Sequence, residues 1–242
     1  GNFGTIISVK DLFYGNRVRR EALQTSTEEY QKIVQTVQAY ALNQAGRCAF
    51  SLSRKRDRVE LQTTLSEGPV AVVKGLWNGD LGSSLLPFEI AVDSSLGIEP
   101  GSCGWASRTT FHKLKRATVI LFLNDRLIEH AVLRRALLQA FSAHLPTSPP
   151  AYPFIFVRLY IKGNRVDVNV HPSKRQVFFL DEADIVGRVV EAVEGGVLRR
   201  QYETQTLQPI VIDRPVKRAK DEQPSRNTNV DSATTSISKI ST

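Results

Sequence analysis

The sequence predicts a layered fold of the α/β or α+β class, in which helices cover a β-sheet. Residues 118–123 form a continuous apolar run that is typical of a central strand. A helix is predicted over residues 132–145, and residues 154–161 predict a second, mostly apolar strand. Because strand, helix and strand follow one another in this order, they predict a crossover unit on one sheet.

The first elements of the chain are predicted to be a short strand and a long helix. Residues 5–9 have the composition of a strand, and a basic loop follows them. Ser26 and Glu29 have the spacing of a capping box, and apolar residues recur at helical spacing from Tyr30 onward. Gly46 is predicted to end this helix.

The next stretch predicts two strands and a short helix. Residues 48–52 and 59–65 are predicted strands, joined by a charged turn. Pro69 suits the first turn of a helix over residues 70–77. The pattern over residues 81–101 is weak, because Gly, Ser and Pro interrupt its short apolar runs.

The C-terminal part predicts a final helix and a polar tail. Asp181 is the predicted cap of a helix whose buried stripe runs from Ile185 to Val193. Apolar periodicity is lost beyond about residue 204, and Ser, Thr, Asn, Asp and Lys dominate the remainder of the chain. Residues 205–242 are therefore predicted to be a disordered linker.

The composition of the chain limits which classes of protein and which kinds of partner are plausible. The 242 residues carry a formal net charge of +8, which favours a polyanionic partner, nucleic acid before membrane. No apolar run approaches the length of a membrane helix. Two cysteines make no disulfide framework, and the four histidines lack metal-ligand spacing, so no zinc site is expected.

Lys174 is the strongest single candidate for a functional residue. Val166, Val168 and Val170 alternate as in a half-buried strand, and Pro172 predicts that the strand stops just before Lys174. Spacing alone allows two interpretations. The lysine is a solvated loop residue, or it is a fixed point charge directed at a phosphate.

Residues 167–174, Asp-Val-Asn-Val-His-Pro-Ser-Lys, resemble the signature of the MutL family of DNA mismatch-repair proteins. Other blocks resemble the family in the same order along the chain: residues 4–14, the helix start at 28–30, and the strand and Asn-x-Arg turn at 121–127. Together they cover most of residues 4–201. Within the family, the pattern is most similar to the eukaryotic homologue that is the common subunit of MutL heterodimers.

The resemblance implies an α+β fold of two layers, similar to domain 2 of ribosomal protein S5 and to the transducer domain of a GHKL ATPase. Residues 1–204 are expected to form this domain, with residues 1–23 continuing from an ATPase domain upstream. The family's Mg-binding asparagine, glutamate general base, adenine site and Gly-rich lid do not occur in these 242 residues. ATP hydrolysis is therefore expected of the full-length protein and not of this part by itself.

The resemblance also implies roles for individual residues. ATP and Mg²⁺ are the expected cofactors, with the metal ligands in the upstream domain and no metal site here. Lys174 is expected to be catalytic by reaching the γ-phosphate of ATP, and Gly4 and Thr5 to lie at the phosphate end. Weak, sequence-independent and salt-sensitive binding to double-stranded DNA is expected. The residues predicted to contact DNA are Arg17, Arg19, Arg20, Arg54, Arg56, Lys113, Lys115 and Arg126.

The expected partners are DNA, a MutL-family partner subunit and a MutS-type mismatch-recognition complex, with no membrane. The expected compartment is the nucleus, and residues 215–220 resemble a short basic import signal. The alternative is a non-enzymatic nucleic-acid-binding module of S5-like fold. A small-molecule kinase of related fold has less support, because no Gly-rich phosphate loop is present.

Overall fold

The computed structural model of the chain describes residues 3–23, 25–54, 59–145, 151–167 and 176–199. Its helices are α1 (Arg17–Glu21), α2 (Ser26–Asn43), α3 (Pro69–Leu76), α4 (Gly79–Ser84), α5 (Ala131–Ser142) and α6 (Glu182–Val193). Its strands are β1 (Ser51–Ser53), β2 (Val59–Gln62), β3 (Leu85–Glu89), β4 (Cys103–Ser107), β5 (Thr118–Leu123), β6 (Arg126–Ile128), β7 (Phe154–Leu159), β8 (Val166–Asp167) and β9 (Phe178–Phe179).

A five-stranded mixed sheet with the strand order β3-β4-β7-β5-β6 forms the centre of the fold. Strands β5 and β7 run parallel, in a register that pairs Thr118 with Phe154 and Leu123 with Leu159. The other neighbouring strands of this sheet are antiparallel. Since α5 lies between β5 and β7 along the chain, the predicted crossover unit and the α+β class are confirmed.

Both faces of this sheet are buried. Successive residues of a strand point to opposite faces, so neighbouring side chains of β5 and β7 enter different cores. Leu121 and Val157 pack with α5 and α6 in one core. Phe122 and Phe156 pack with α2, α3 and α4 in the other. The sheet with α5 and α6 is the expected pair of layers, and the earlier helices cover its second face.

Helix α2 starts at a capping box, but one residue earlier than predicted. The N-cap is Thr25, whose side chain accepts from the Glu28 amide at 3.3 Å while the Glu28 carboxylate accepts from the Thr25 amide at 3.1 Å. The predicted box at Ser26 and Glu29 has the same spacing, so the pattern alone does not separate the two. Gly46 follows the helix with a φ of +78°.

Several predicted elements differ from the structure. Residues 5–10 contain neither helix nor strand, and the described sheets place no strand beside them that could complete a ladder. The basic loop is in part the short helix α1, which Asn16 caps by accepting from the Arg19 amide. The weakly patterned stretch after residue 81 contains β3, which the sequence did not predict.

Some predictions concern residues outside the described ranges. These are the disordered linker at 205–242, the import-like run at 215–220 and the end of the alternating strand at 168–172. Among the helices that the structure describes, none has the length and apolar character needed to span a bilayer.

Candidate functional site

The predicted DNA contacts that the structure describes lie on four separate segments and are exposed. Arg17, Arg19 and Arg20 belong to α1, Arg54 follows β1, Lys113 and Lys115 precede β5, and Arg126 starts β6. Arg56 lies outside the described residues.

Among these cations, Arg17, Lys113 and Arg54 have neighbours within the protein, and the Arg19 guanidinium lies 5.8 Å from the Phe13 ring centroid. The contacts of the first three are Arg17 Nε to Glu21 Oε1 at 2.6 Å, Lys113 Nζ to Asp80 Oδ2 at 2.5 Å, and the Arg54 guanidinium 4.8 Å from the Tyr30 ring centroid. Such exposed ion pairs contribute little to stability, so they leave the cations able to exchange partners with a phosphate backbone.

The predicted nucleotide contacts are only partly described. Gly4 and Thr5 are exposed, and Gly4 has a φ of +147°, a conformation that favours glycine. Lys174 lies outside the described residues. The strands on either side of its segment are described: β8 and β9 pair antiparallel, with Val166 opposite Phe179 and Asp167 opposite Phe178.

A polar cluster, here called the Asp125 cluster, lies where the parallel strands β5 and β7 end. It consists of Asn43, Arg47, Asp125, Arg158 and Tyr160. Asp125 Oδ1 accepts from the Asn43 side-chain amide at 2.9 Å, the Tyr160 hydroxyl at 3.1 Å and the Arg47 guanidinium at 3.2 Å. Arg158 Nε donates to Asn43 Oδ1 at 2.9 Å, and its second nitrogen donates to the Asn43 carbonyl.

These contacts keep Asp125 ionised. Partial burial raises the pKa of the Asp125 carboxyl. The hydrogen bonds from Asn43 and Tyr160 and the charge of Arg47 together lower the pKa by more than burial raises it. The net result is a pKa below the ordinary value. Asp125 is therefore an anchoring carboxylate, and the cluster joins the end of α2 to the carboxyl edge of the sheet.

The turn that contains Asp125 also holds the chain that leads to the Lys174 segment. Asn124 donates to the Ile161 carbonyl at 2.8 Å and accepts from the Ile161 amide at 2.9 Å. A cavity of about 340 Å³ lies beside this clamp, and Arg126, Val166 and Val177 are among the residues that line it. The Asn-x-Arg turn and the flanks of the signature segment thus meet in space, although about 40 residues separate them.

A second junction is made by His130, which is 6% exposed. Its Nδ1 accepts from the Leu133 amide at 3.1 Å and caps α5, while Nε2 lies 3.1 Å from Glu182 Oε1 at the start of α6. The ring packs against Phe179 of β9 at a tilt of 36°, with centroids 4.8 Å apart. Burial lowers the pKa of His130 more than the Glu182 charge raises it.

A groove of about 680 Å³ lies beside this junction. Its floor includes Leu121 and Ile128, and Glu129 and Arg134 lie along it with His130.

The hydrogen bonds of His130 fix its tautomer. Because Nδ1 of His130 accepts a hydrogen bond, the neutral imidazole ring carries its proton on Nε2 and donates it to Glu182.

Sequence reasoning did not single out most of these groups. It identified Asn124 only as part of a turn, and Arg126 as part of that turn and as a predicted DNA contact. It missed Asn43, Arg47 and the capping role of His130. One signal was available: Arg158 interrupts an otherwise apolar strand, and a cation at such a position needs internal partners.

Comparison with known proteins supplies the family. Residues 77–197 match the family model described as "DNA mismatch repair protein, C-terminal domain". A MutL protein homologue of Schizosaccharomyces pombe is 31% identical over 218 residues, which cover 87% of this chain and 31% of that protein. The DNA mismatch repair protein MLH1 of Saccharomyces cerevisiae is 33% identical over 190 residues, which cover 78% of this chain and 24% of that protein.

The chain therefore spans about a quarter to a third of the length of these curated relatives. Among solved structures, the crystal structure of the N-terminal domain of a DNA repair protein aligns with a TM-score of 0.61 at 17% sequence identity, covering 79% of this chain and 60% of that chain. This likeness shows a shared fold. The family match, which covers half of the residues, shows that the chain belongs to the MutL family of DNA mismatch-repair proteins.

Proposed function

We propose that this chain is the lysine-bearing second half of a MutL-type ATPase region and that it acts in DNA mismatch repair. The observation that carries the proposal is the meeting of the Asn-x-Arg turn with the described residues that flank the Lys174 segment. Asn124 clamps the Ile161 backbone, and Arg126 shares a cavity with Val166 and Val177. The elements that flank the Lys174 segment are thereby held at the carboxyl edge of the parallel strands, where α/β folds commonly bind ligands.

In this proposal Lys174 supplies positive charge to the γ-phosphate of ATP. An ammonium near the transferred group stabilises charge that moves onto the phosphate oxygens in the transition state. Its place on a domain separate from the adenine site makes the angle between the domains depend on the bound nucleotide. At the phosphate end of ATP, Gly4 allows a close approach of the backbone and Thr5 supplies a hydroxyl group.

Mg²⁺ is given no role in this part of the protein. The described residues contain no group of three or more His, Cys, Asp or Glu side chains placed to hold a metal ion. The metal ligands are instead expected with the general base and adenine site, in the remainder of the full-length protein.

ATP turnover by the full-length protein tests the role of Lys174. We expect Lys174→Ala to lower kcat on the order of a hundredfold, because one preorganised charge is removed from the transition state. Lys32→Ala removes the same charge from α2, where Lys32 pairs with Glu29, and is expected to leave turnover unchanged. Equal turnover in all three proteins, with nucleotide binding intact, would contradict the proposed function.

We further propose that the exposed basic residues bind DNA without reading its sequence. The net charge of +8 favours this activity, which is also what the alternative function, a non-enzymatic nucleic-acid-binding module, would require. The two functions differ at Lys174, because a pure binding module does not lose nucleotide turnover when that lysine becomes alanine.

Fluorescence anisotropy of a labelled duplex at several salt concentrations tests the DNA surface. We expect log K to fall linearly with log salt, and Arg20→Ala and Lys115→Ala each to reduce the slope by about one. Lys32→Ala is the control, since Lys32 pairs with Glu29 on α2 and is not one of the predicted contacts. An affinity that does not change with salt concentration would contradict electrostatic binding of DNA.

The remaining parts of the proposal concern partners and place. Membership of the MutL family supports a MutL-type partner subunit and a MutS-type mismatch-recognition complex as the proteins it works with. Because the DNA to be repaired is expected to be chromosomal, the nucleus is the proposed compartment.

A further inference from the structure

A groove of about 490 Å³, here called the β3 edge groove, lies along the outer edge of strand β3. It runs between residues 87–89 of β3 and Glu191, Ala192, Gly195 and Gly196, which belong to α6 and to the π-helical turn after it. Strand β3 is the end strand of the five-stranded sheet, and the described residues place no strand on its far side. The groove therefore follows a strand edge with one side open to a partner.

Hydrogen bonds at the two ends of β3 show which of its backbone groups face β4. The Ser84 carbonyl accepts from the Arg108 amide at 3.0 Å, and the Ile90 amide donates to the Ser102 carbonyl at 3.0 Å. In an antiparallel pair the groups that face the partner strand belong to alternate residues. The backbone groups of residues 87 and 89 therefore point outward, toward the open side.

Pro87 suits an outward position. Proline has no amide to leave unpaired there, and its carbonyl remains available as an acceptor. A strand added beside β3 would exchange both backbone hydrogen bonds with Glu89 and donate another to the Pro87 carbonyl. The edge thus has the polar groups that strand addition requires.

Glycine residues leave room for the side chains of such a strand. A methyl group on Gly195 would meet nothing within 4 Å, so this residue leaves space in the groove. Gly196 has a different role, because a methyl group there would come within 2.5 Å of Phe88 Cβ. The turn after α6 consequently packs closely on β3 at one residue and leaves space at the residue before it.

The groove is acidic, although the chain carries a net charge of +8. Glu89 and Glu191 line it, and none of the described residues that line it is a lysine or an arginine. Glu191 pairs with Arg188 at 3.3 Å in an exposed ion pair, which leaves the carboxylate able to exchange partners. Glu89 projects from the face of the sheet opposite α6, since its neighbours Phe88 and Ile90 pack into the core that contains α6. A strand added here would therefore have a carboxylate near each of its faces.

We propose that the β3 edge groove binds an extended, basic peptide segment of a partner protein. The segment pairs with β3 as an added strand and places lysine or arginine side chains beside Glu89 and Glu191. A second copy of this chain fits less well, because its own Glu89 would meet the same carboxylates and its Pro87 has no amide to donate. The inference goes beyond the proposed function and does not depend on it.

A fluorescein-labelled peptide, Thr-Val-Thr-Lys-Lys-Val-Thr-Val, tests the proposal by fluorescence anisotropy with the whole chain. Threonine and valine favour an extended strand, and adjacent lysines point to its opposite faces, one toward Glu89 and the other toward Glu191. Because the chain and the peptide are both cationic, non-specific attraction between them is weak. Saturable binding is expected, and its absence would overturn the proposal.

Gly195→Trp tests whether the peptide occupies the groove. The indole fills the space that Gly195 leaves, so we expect about tenfold weaker binding. Gly187→Trp is the matched control, since a methyl group at Gly187 in α6 also meets nothing within 4 Å and Gly187 does not line the groove. Equal affinities of wild type and Gly195→Trp would contradict the proposed site. Thermal unfolding shows whether each variant is folded, and the charge variants test the groove if Gly195→Trp is not.

Charge reversal tests whether the occupant is basic. For Glu89→Lys combined with Glu191→Lys we expect about tenfold weaker binding at low salt, with a smaller difference at high salt. Glu21→Lys is the control, because Glu21 belongs to an exposed ion pair on α1 and does not line the groove. An unchanged affinity of the double variant would exclude recognition of a basic segment.

Two N-methylated peptides test the strand pairing. One carries methyl groups on the odd amides and the other on the even amides. Alternate amides of an added strand face β3 and solvent, so only one of the two peptides is expected to lose affinity. Equal affinities would rule out strand addition. Sedimentation adds a last test: a chain that is dimeric as wild type and monomeric as Gly195→Trp would place a second copy in the groove and overturn the peptide as its occupant.

Discussion

Gly104 in β4 is a position at which the packing leaves no room for a side chain. It lies opposite Phe88 on one side and Val157 on the other. A methyl group placed there would overlap the Phe156 carbonyl and the Phe88 ring. We expect Gly104→Ala to lower the free energy of unfolding by about 1–3 kcal/mol, because neither the backbone nor the packed ring has room to move.

Gly187 provides the control for this prediction. It lies on the exposed side of α6, and a methyl group there meets nothing within 4 Å. Gly187→Ala is expected to raise the free energy of unfolding by roughly 0.5–1 kcal/mol through helix propensity. Urea unfolding of the chain measures both changes, and equal stability of Gly104→Ala and wild type would show that the packing argument is wrong.

At the scale of elements, His130 links the starts of α5 and α6. Its folded pKa is lowered by burial, so the unfolded chain binds the proton more readily. The stability that the neutral ring provides is fully present above the unfolded pKa of about 6.5 and is lost as the pH falls through the folded pKa. The chain should therefore lose stability on acidification through this junction.

His130→Asn tests this link, because asparagine also caps a helix but does not titrate. Between about pH 7.5 and about pH 5.5 the melting temperature of wild type should fall more steeply than that of His130→Asn. Exposed His112 supplies the control, so His112→Asn should follow wild type. Parallel curves for wild type and His130→Asn would exclude His130 as the source of the pH dependence.

The sequence predicted helices and strands correctly where one local feature of the sequence was strong. Strand β5 was predicted at its observed bounds because five apolar residues follow Thr118 without interruption, and Pro69 marked the first residue of α3. Strand β3 was not predicted, since Pro87 interrupts it, and β4 contains a glycine. Both strands form because they pair with neighbouring strands of the sheet, and local propensity gives no information about those neighbours.

At the scale of the whole molecule, the candidate site depends on contacts between distant residues. The turn at Asn124–Arg126 and the signature segment could be identified from their residue types. The meeting of the turn with the flanks of that segment could not, because it depends on the parallel pairing of β5 with β7 and on the clamp at Ile161. The Asp125 cluster was missed for the same reason: Asn43 and Asp125 are 82 residues apart in sequence.

The most direct test of the central claim asks where the γ-phosphate of ATP lies in the full-length protein. An ATP analogue with a photoreactive group on that phosphate is cross-linked, and the protein is cleaved before aspartate residues. We expect a label that excess ATP abolishes on the peptide from Asp167 to Leu180, which contains Lys174. An ATP-protected label elsewhere in the protein, with none on this peptide, would contradict the claim that this chain completes the ATP site.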